Sequence, residues 1–225
     1  MKTSLKRRDW GMLITGVVIA LAILGIGRLI YLNQTPLRPQ ADHVTAYWIP
    51  PTVRHWDKQI NANAKKYKVD PTYIAIIMTM ESGGDPKAHS PAGAEGLMQI
   101  TAPTAKDIAS KYLKKPVSHY DLKNPDTNVE FGVALLAKLR DTFGTAQQGP
   151  SWNETAELVA AGYNGGPLAS NHLEVGKGLH DPQTVIYSRD AFNMWRERVS
   201  KDSPTFDRWK ERGGQLLLDA AKKNQ

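Results

Sequence analysis

Between Asp70 and Gly84 the chain reads DPTYIAIIMTMESGG, and one residue in it stands out. Wound as a helix, the segment puts Ile74, Ile77, Met78 and Glu81 on one face. Three are apolar, as a core-facing stripe requires; the fourth is a carboxylic acid. Loss of hydration on such a face favours the neutral acid and raises its pKa. Glu81 also falls in the last turn, ahead of Ser82-Gly83-Gly84, where the negative end of the helix dipole further disfavours a carboxylate. A glutamic acid still protonated near neutrality, with a pKa of ~6, is the general acid that glycosidic bond cleavage requires. By position alone, the same residue also fits a partly exposed acid freed by a small rotation of the helix.

Other chemistries find less support. With no cysteine, disulfides, thiolate nucleophiles, Cys-based zinc sites and a lipid-modified N-terminal cysteine are excluded. His43, His55, His89, His119, His172 and His180 are scattered, with no helical His-x-x-x-His pair, so no metal or other cofactor is expected. Gly83-Gly84 and Gly165-Gly166 follow predicted helices instead of opening them, which argues against a phosphate loop. The formal charge is +7. Lys2, Lys6, Arg7, Arg8 and Arg28 supply much of it, which leaves a mildly basic remainder without a dense stripe. Nucleic acid is therefore not an expected partner, whereas an anionic polymer is compatible.

The elements that must position Glu81 are helical throughout. Asp70-Pro71, Asp181-Pro182 and Ser203-Pro204 each place a capping acceptor before a proline at the first helical position, and Asn124-Pro125 does the same. Trp56, Ile60, Ala64 and Tyr67 predict a helix over about 57–68. Val129, Val133, Leu136, Leu139 and Phe143 form a second stripe, and Ala156, Val159, Ala160 and Tyr163 a third that stops at Asn164-Gly165-Gly166-Pro167. Near the C-terminus, Phe206, Trp209 and Leu216 share a side, weakened by Gly213-Gly214. No sustained two-residue alternation appears, so the fold class is all-α.

Ahead of this domain, a basic flank precedes an apolar run over residues 11–32. From Met12 to Leu32 the run spans roughly 31 Å as a helix, which matches a bilayer core. Arg28 near its far end can snorkel to the interface. The flank should remain cytoplasmic and the rest should be exported, as a single-pass inner-membrane protein with a periplasmic domain. A cleaved signal peptide is the alternative, since Gly25-Ile26-Gly27 offers small residues at suitable spacing. The apolar stretch resumes at Leu29-Ile30-Tyr31-Leu32, which favours the uncleaved transmembrane helix. The expected organisation is a basic tail over 1–10, an anchor over 11–32, a proline-containing linker over 33–51, the catalytic domain over 52–202 and a helical tail over 203–225.

Short motifs, in order, give the chain a family resemblance. Glu81-Ser82 ends an apolar helix and is followed by Gly83-Gly84-Asp85-Pro86. Gly96-Leu97-Met98-Gln99-Ile100 follows Ser90-Pro91-Ala92-Gly93-Ala94. Asp126-Thr127-Asn128-Val129 opens a helix containing Gly132, Leu135 and Leu136, and Gly162-Tyr163-Asn164-Gly165-Gly166-Pro167 comes last. Over about 57–190 the chain resembles the soluble lytic transglycosylase family, which shares the goose-type lysozyme architecture. The resemblance implies a lysozyme-like helical domain that acts on peptidoglycan glycan strands.

It also implies roles. Glu81 would protonate the oxygen between MurNAc and GlcNAc, then accept the proton of the MurNAc C6 hydroxyl as that oxygen attacks C1. The product is a 1,6-anhydro sugar, and one carboxylate suffices where hydrolases ordinarily carry two. Ser82 would orient the site, Met98 and Gln99 would line the glycan groove, and Tyr163 would reach Glu81 through its hydroxyl. Asn164 would support that loop or the substrate. Where the family commonly has a glutamate-threonine pair followed by a tyrosine, this chain has Gln183-Thr184 and Tyr187. An amide thus stands in for a carboxylate; Gln183 and Tyr187 join the substrate-binding set.

Two rivals remain. A lysozyme-type hydrolase would need a second carboxylate to activate water, with Asp85 and Glu95 as the nearby candidates. A non-catalytic wall-binding assembly protein would keep the fold as a scaffold, against which the intact Glu81 argues. A small anchored domain without a wall-binding repeat suits opening the wall locally for a secretion or conjugation apparatus.

Overall fold

Capped prolines begin four of the helices in the computed structural model, which describes residues 41–114, 121–143, 152–174 and 177–225. The Asp70 carboxylate accepts from the backbone N–H groups of Thr72 and Tyr73, Asp181 from Thr184, and Ser203 from Phe206. Asn124 caps the next helix by accepting from Thr127 at 3.1 Å. Each such bond satisfies a donor that the first turn leaves open. The helices are α1 (Pro51–Arg54), α2 (Asp57–Tyr67), α3 (Pro71–Ser82), α4 (Ala102–Asp107), α5 (Pro125–Phe143) and α6 (Trp152–Gly165). They continue with α7 (Pro167–Glu174), α8 (Pro182–Glu197), α9 (Pro204–Trp209) and α10 (Gln215–Asn224). Wide π-type turns at Ile108–Tyr112 and Lys210–Gly214 extend α4 and join α9 to α10.

Helix α3 is the axis of the domain. Every residue from Pro71 to Met80 is buried, and Ile74, Ile76, Ile77 and Met78 have no exposed surface. The sequence predicts a one-sided stripe, but the helix is apolar on all sides, which is the signature of a helix enclosed by others. Neighbours α1, α2, α8 and α10 pack around it, and α6 packs on α5, α7 and α8. Each isoleucine buried in this way stabilises the fold by roughly 1.5–3 kcal/mol relative to exposure. The stripes of α5 and α6 point inward as expected, with Val129, Val133, Leu136, Ala156, Val159 and Ala160 fully buried.

The all-α expectation needs one correction. Ala94–Glu95 (β1) and Ile100–Thr101 (β2) pair antiparallel, Ala94 opposite Thr101 and Glu95 opposite Ile100. Strands of two residues are too short to show an alternating pattern in the sequence. The connection turns through Gly96 and Gln99, both at positive φ (69° and 47°).

The ends of the described chain also fold differently from the sequence reading. Within the linker expected over 33–51, Val44, Ala46 and Ile49 are buried, and the Thr45 N–H donates to the Thr72 hydroxyl at 2.9 Å. Trp48 lies against Phe206, which stacks on Trp209. Residues 41–225 therefore form one unit that includes the C-terminal helices. Within them Leu216 does not share the buried face: it is 74% exposed, while Leu218 and Ala221 turn inward. The π turn and Gly213 at φ 114° break the helical phase between Trp209 and Leu216. The apolar run over 11–32 lies outside the described residues, and among those described no helix is long and apolar enough to cross a membrane.

Candidate active site

Glu81 occupies the last turn of α3 and keeps part of its surface accessible. Its Oε1 accepts a 2.5 Å hydrogen bond from the Tyr187 hydroxyl on α8. Burial pushes its pKa from 4.5 up to about 7, with the Tyr187 bond opposing the rise. Burial dominates because one hydroxyl donor replaces only part of the lost hydration. The hydroxyls of Tyr187 and Tyr163 are themselves held well above their usual pKa by burial and by the Glu81 charge, so both remain donors.

Tyr163 does not make the bond the resemblance implied. Its hydroxyl donates to the Met98 carbonyl at 2.8 Å, although it lies near enough to feel Glu81 electrostatically. Tyr187 makes that bond instead. Met98 also departs from expectation: its side chain has no exposed surface and does not line a groove. It lies on α5 at Gly132, where an added Cβ would come within 2.5 Å of the Met98 Cβ. What Met98 offers the site is backbone, since its carbonyl anchors Tyr163.

The remaining expected residues gather around the same turn. Ser82 is fully buried, and its hydroxyl donates to the Leu97 carbonyl at 2.8 Å and accepts from the Gly84 N–H at 3.1 Å. It ties the end of α3 to the β1–β2 connection. The Gln99 amide nitrogen donates to the carbonyls of Gly96 (3.0 Å) and Ala88 (3.2 Å), which steadies that connection from inside. Asn164, at the end of α6, accepts from the Thr184 hydroxyl at 3.0 Å and so joins α6 to the start of α8. Gln183 is exposed in the first turn of α8, one turn before Tyr187 and on the same helix face.

Sequence reasoning did not assign a site role to Asn128, yet it organises the loop. Fully buried on α5, it accepts from the Met98 N–H at 2.7 Å and donates to the carbonyls of Glu95 (2.7 Å) and Leu122 (2.8 Å). Gly96 packs on it so closely that a Cβ there would fall 2.7 Å from the Asn128 amide nitrogen. The signal available was Asn128 within the motif that opens α5, read there only as part of a pattern. Asn128→Ala would strand three backbone groups, those of Met98 and Leu122 buried and that of Glu95 partly so, and is expected to cost about 3 kcal/mol. Thermal unfolding should register a fall in Tm on the order of 10 °C. An unchanged Tm would mean that the loop is held by other contacts.

Both candidate second carboxylates are engaged elsewhere. Asp85 is buried, accepting from the Asn224 amide and the Lys87 N–H, each at 2.8 Å. Glu95 faces His89 across 3.1 Å. Among the described residues no group of three His, Cys, Asp or Glu side chains could hold a metal.

The family model described as Transglycosylase SLT domain matches residues 58–179. The chain is 32% identical over 133 residues to the membrane-bound lytic murein transglycosylase E of Buchnera aphidicola subsp. Acyrthosiphon pisum, covering 56% of this chain and 60% of that one. It is 34% identical over 152 residues to the membrane-bound lytic murein transglycosylase C of Serratia proteamaculans, covering 60% of this chain and 41% of that one. The chain thus spans between two fifths and three fifths of these relatives' length. Among solved structures, an inactive mutant of the lytic transglycosylase Slt from Pseudomonas aeruginosa aligns with a TM-score of 0.46 at 24% identity. That alignment covers 72% of this chain and 24% of that one.

Proposed function

The chain belongs to the Transglycosylase SLT domain family, and from that membership we propose that it cleaves peptidoglycan between MurNAc and GlcNAc without water, leaving 1,6-anhydroMurNAc ends. The observation that carries this reading is Glu81: a carboxyl on a partly exposed residue at the end of α3, with a pKa raised by burial to about 7 and the Tyr187 hydroxyl bonded to one oxygen. A group titrating near neutrality can give a proton and take one back in the same cycle.

In the first step the protonated Glu81 gives its proton to the glycosidic oxygen as the bond from MurNAc C1 breaks, and GlcNAc leaves as an alcohol. Positive charge develops on the C1–ring oxygen pair. The Glu81 carboxylate left behind is stabilised by the Tyr187 hydroxyl. In the second step the MurNAc C6 oxygen bonds to C1 while Glu81 takes its proton, which restores the acid. No water enters, and no cofactor is required. Ser82 and Asn128 hold the β1–β2 connection at the acid. With the Gln99 nitrogen bonded within the loop, its amide oxygen serves as an acceptor for sugar hydroxyls. Gln183, one turn before Tyr187, is placed to bond sugar as well, and Asn164 keeps α6 and α8 in register beside it.

Hydrolysis of the same bond is the second reading, and the engagement of Asp85 and Glu95 weighs against it. Mass spectrometry of digested peptidoglycan separates the two. Anhydro-muropeptides are expected; reducing-end MurNAc alone would replace this reading by a lysozyme-type one.

The setting extends the proposal. Residues 11–32 anchor the chain in the inner membrane with residues 1–10 in the cytoplasm and the domain in the periplasm. Both relatives are named as membrane-bound. Residues 52–202 carry the catalytic domain, with 41–51 and 203–225 folded against it. An anchored domain of this size is suited to opening the wall locally for a secretion or conjugation apparatus.

A further inference from the structure

We infer that helix α10 is a positioning element for Glu81, acting through the Gly83-Gly84-Asp85 turn that Asn224 and Gln225 clasp. The inference rests on the reading of Glu81 as the acid. Helix α3 ends at Ser82 and is capped by Gly83 in the left-handed conformation (φ 64°), and Gly84 follows at φ 90°. A Cβ on Gly83 would lie 2.9 Å from the carbonyl carbon of Leu217 and 3.0 Å from the nitrogen of Leu218. One on Gly84 would lie 2.5 Å from the Thr52 oxygen. The turn is therefore pressed between the backbones of α10 and α1, with no room for a side chain on either residue.

Polar contacts close the same clasp. The Gly84 carbonyl accepts both from the Trp56 indole (2.9 Å) and from the Gln225 amide (3.0 Å), and Gln225 also donates to the Thr52 carbonyl at 2.6 Å. Asn224 donates to the buried Asp85 carboxylate at 2.8 Å. Leu218 and Ala221 already seat α10 in the core, so these bonds add direction to a helix that is docked by apolar contact. The Gly83 N–H closes the last turn of α3 on the Thr79 carbonyl. Movement of Gly83 therefore opens the turn that carries Glu81. Opening it would draw the carboxyl from Tyr187 and admit water, so acid placement and dehydration would be lost together.

The test uses the full chain with Asn224→Ala and Gln225→Ala combined, and Lys222→Ala with Lys223→Ala on the exposed side of α10 as the control. Three quantities are read: kcat and KM for anhydro-muropeptide release, Tm, and the pH titration of the Glu81 carboxyl carbon by NMR. The clasp variant is expected to lose about fivefold or more in kcat with KM within about twofold. Its Glu81 titration should fall by about half a pH unit or more as water reaches the acid. The control should match the parent. A clasp variant that lowers only Tm, with kcat and titration unchanged, would overturn the inference. Should the double variant fail to fold, Gln225→Ala alone is read in the same way, and no change in kcat or titration overturns it equally. A parent that releases no anhydro product sinks the functional reading instead, and the titration then decides the clasp on its own.

Discussion

Replacing Glu81 by glutamine is expected to lower anhydro-muropeptide release about a thousandfold or more while leaving the fold intact, because the amide can neither give nor take the proton. Glutamine keeps an oxygen to accept from Tyr187 and has nearly the same volume, so loss of activity would not reflect loss of shape. Its effect on stability has a definite sign. The folded-state pKa of Glu81, about 7, lies above the ordinary 4.5. Between these values the folded protein holds a proton that the unfolded chain has released. The parent therefore has the full benefit of neutral Glu81 below pH 4.5 and loses it as pH rises toward and through 7. Glu81→Gln is free of that loss. Urea denaturation should find parent and variant alike at pH 4 and the variant more stable at pH 8, by up to about 3 kcal/mol. Full lytic activity in the variant would remove Glu81 from the mechanism.

Tyr187→Phe is the second large effect expected, a loss of roughly tenfold to a hundredfold in kcat, since the carboxylate formed in the first step loses its donor. The Tyr187 bond lowers the Glu81 pKa, against the larger effect of burial. Removing it raises that pKa further, so the descending basic limb of the pH–kcat/KM profile should move to higher pH. Tyr163→Phe offers the contrast: it deletes a bond to the Met98 carbonyl and leaves the acid's own donor in place. Its limb should stay with the parent's. A shift in Tyr163→Phe and none in Tyr187→Phe would restore the partnership that the sequence resemblance implied.

What could be read from the sequence followed the range of the forces involved. The caps at Asp70, Asp181 and Ser203 act within three residues, so the letters reveal them directly, and the structure bears them out. Glu81 was equally visible, because an acid among Ile74, Ile77 and Met78 is anomalous whatever surrounds it. The choice between Tyr163 and Tyr187 was not, since it depends on how α6 and α8 lie against α3, a matter of packing between segments far apart in the chain. Met98 was misjudged for a similar reason. The motif marks its position, but its side chain turns toward Gly132 because that glycine leaves a socket there. Leu216 went wrong because the residues between it and Trp209 are not continuously α-helical, and periodicity cannot be counted across a change of pitch.

The clasped glycine turn also bears on when the surroundings of Glu81 are completed. The bond from Gln225 to Thr52 joins positions 173 residues apart. Closing so wide a loop carries an entropic cost that local helices do not meet, and contacts of this separation form late. A chain that emerges N-terminus first holds Glu81 long before it holds α10. The frame around Glu81 is then complete only once α10 has docked, and a chain stopped short of that helix carries the acid without the contacts that hold its turn.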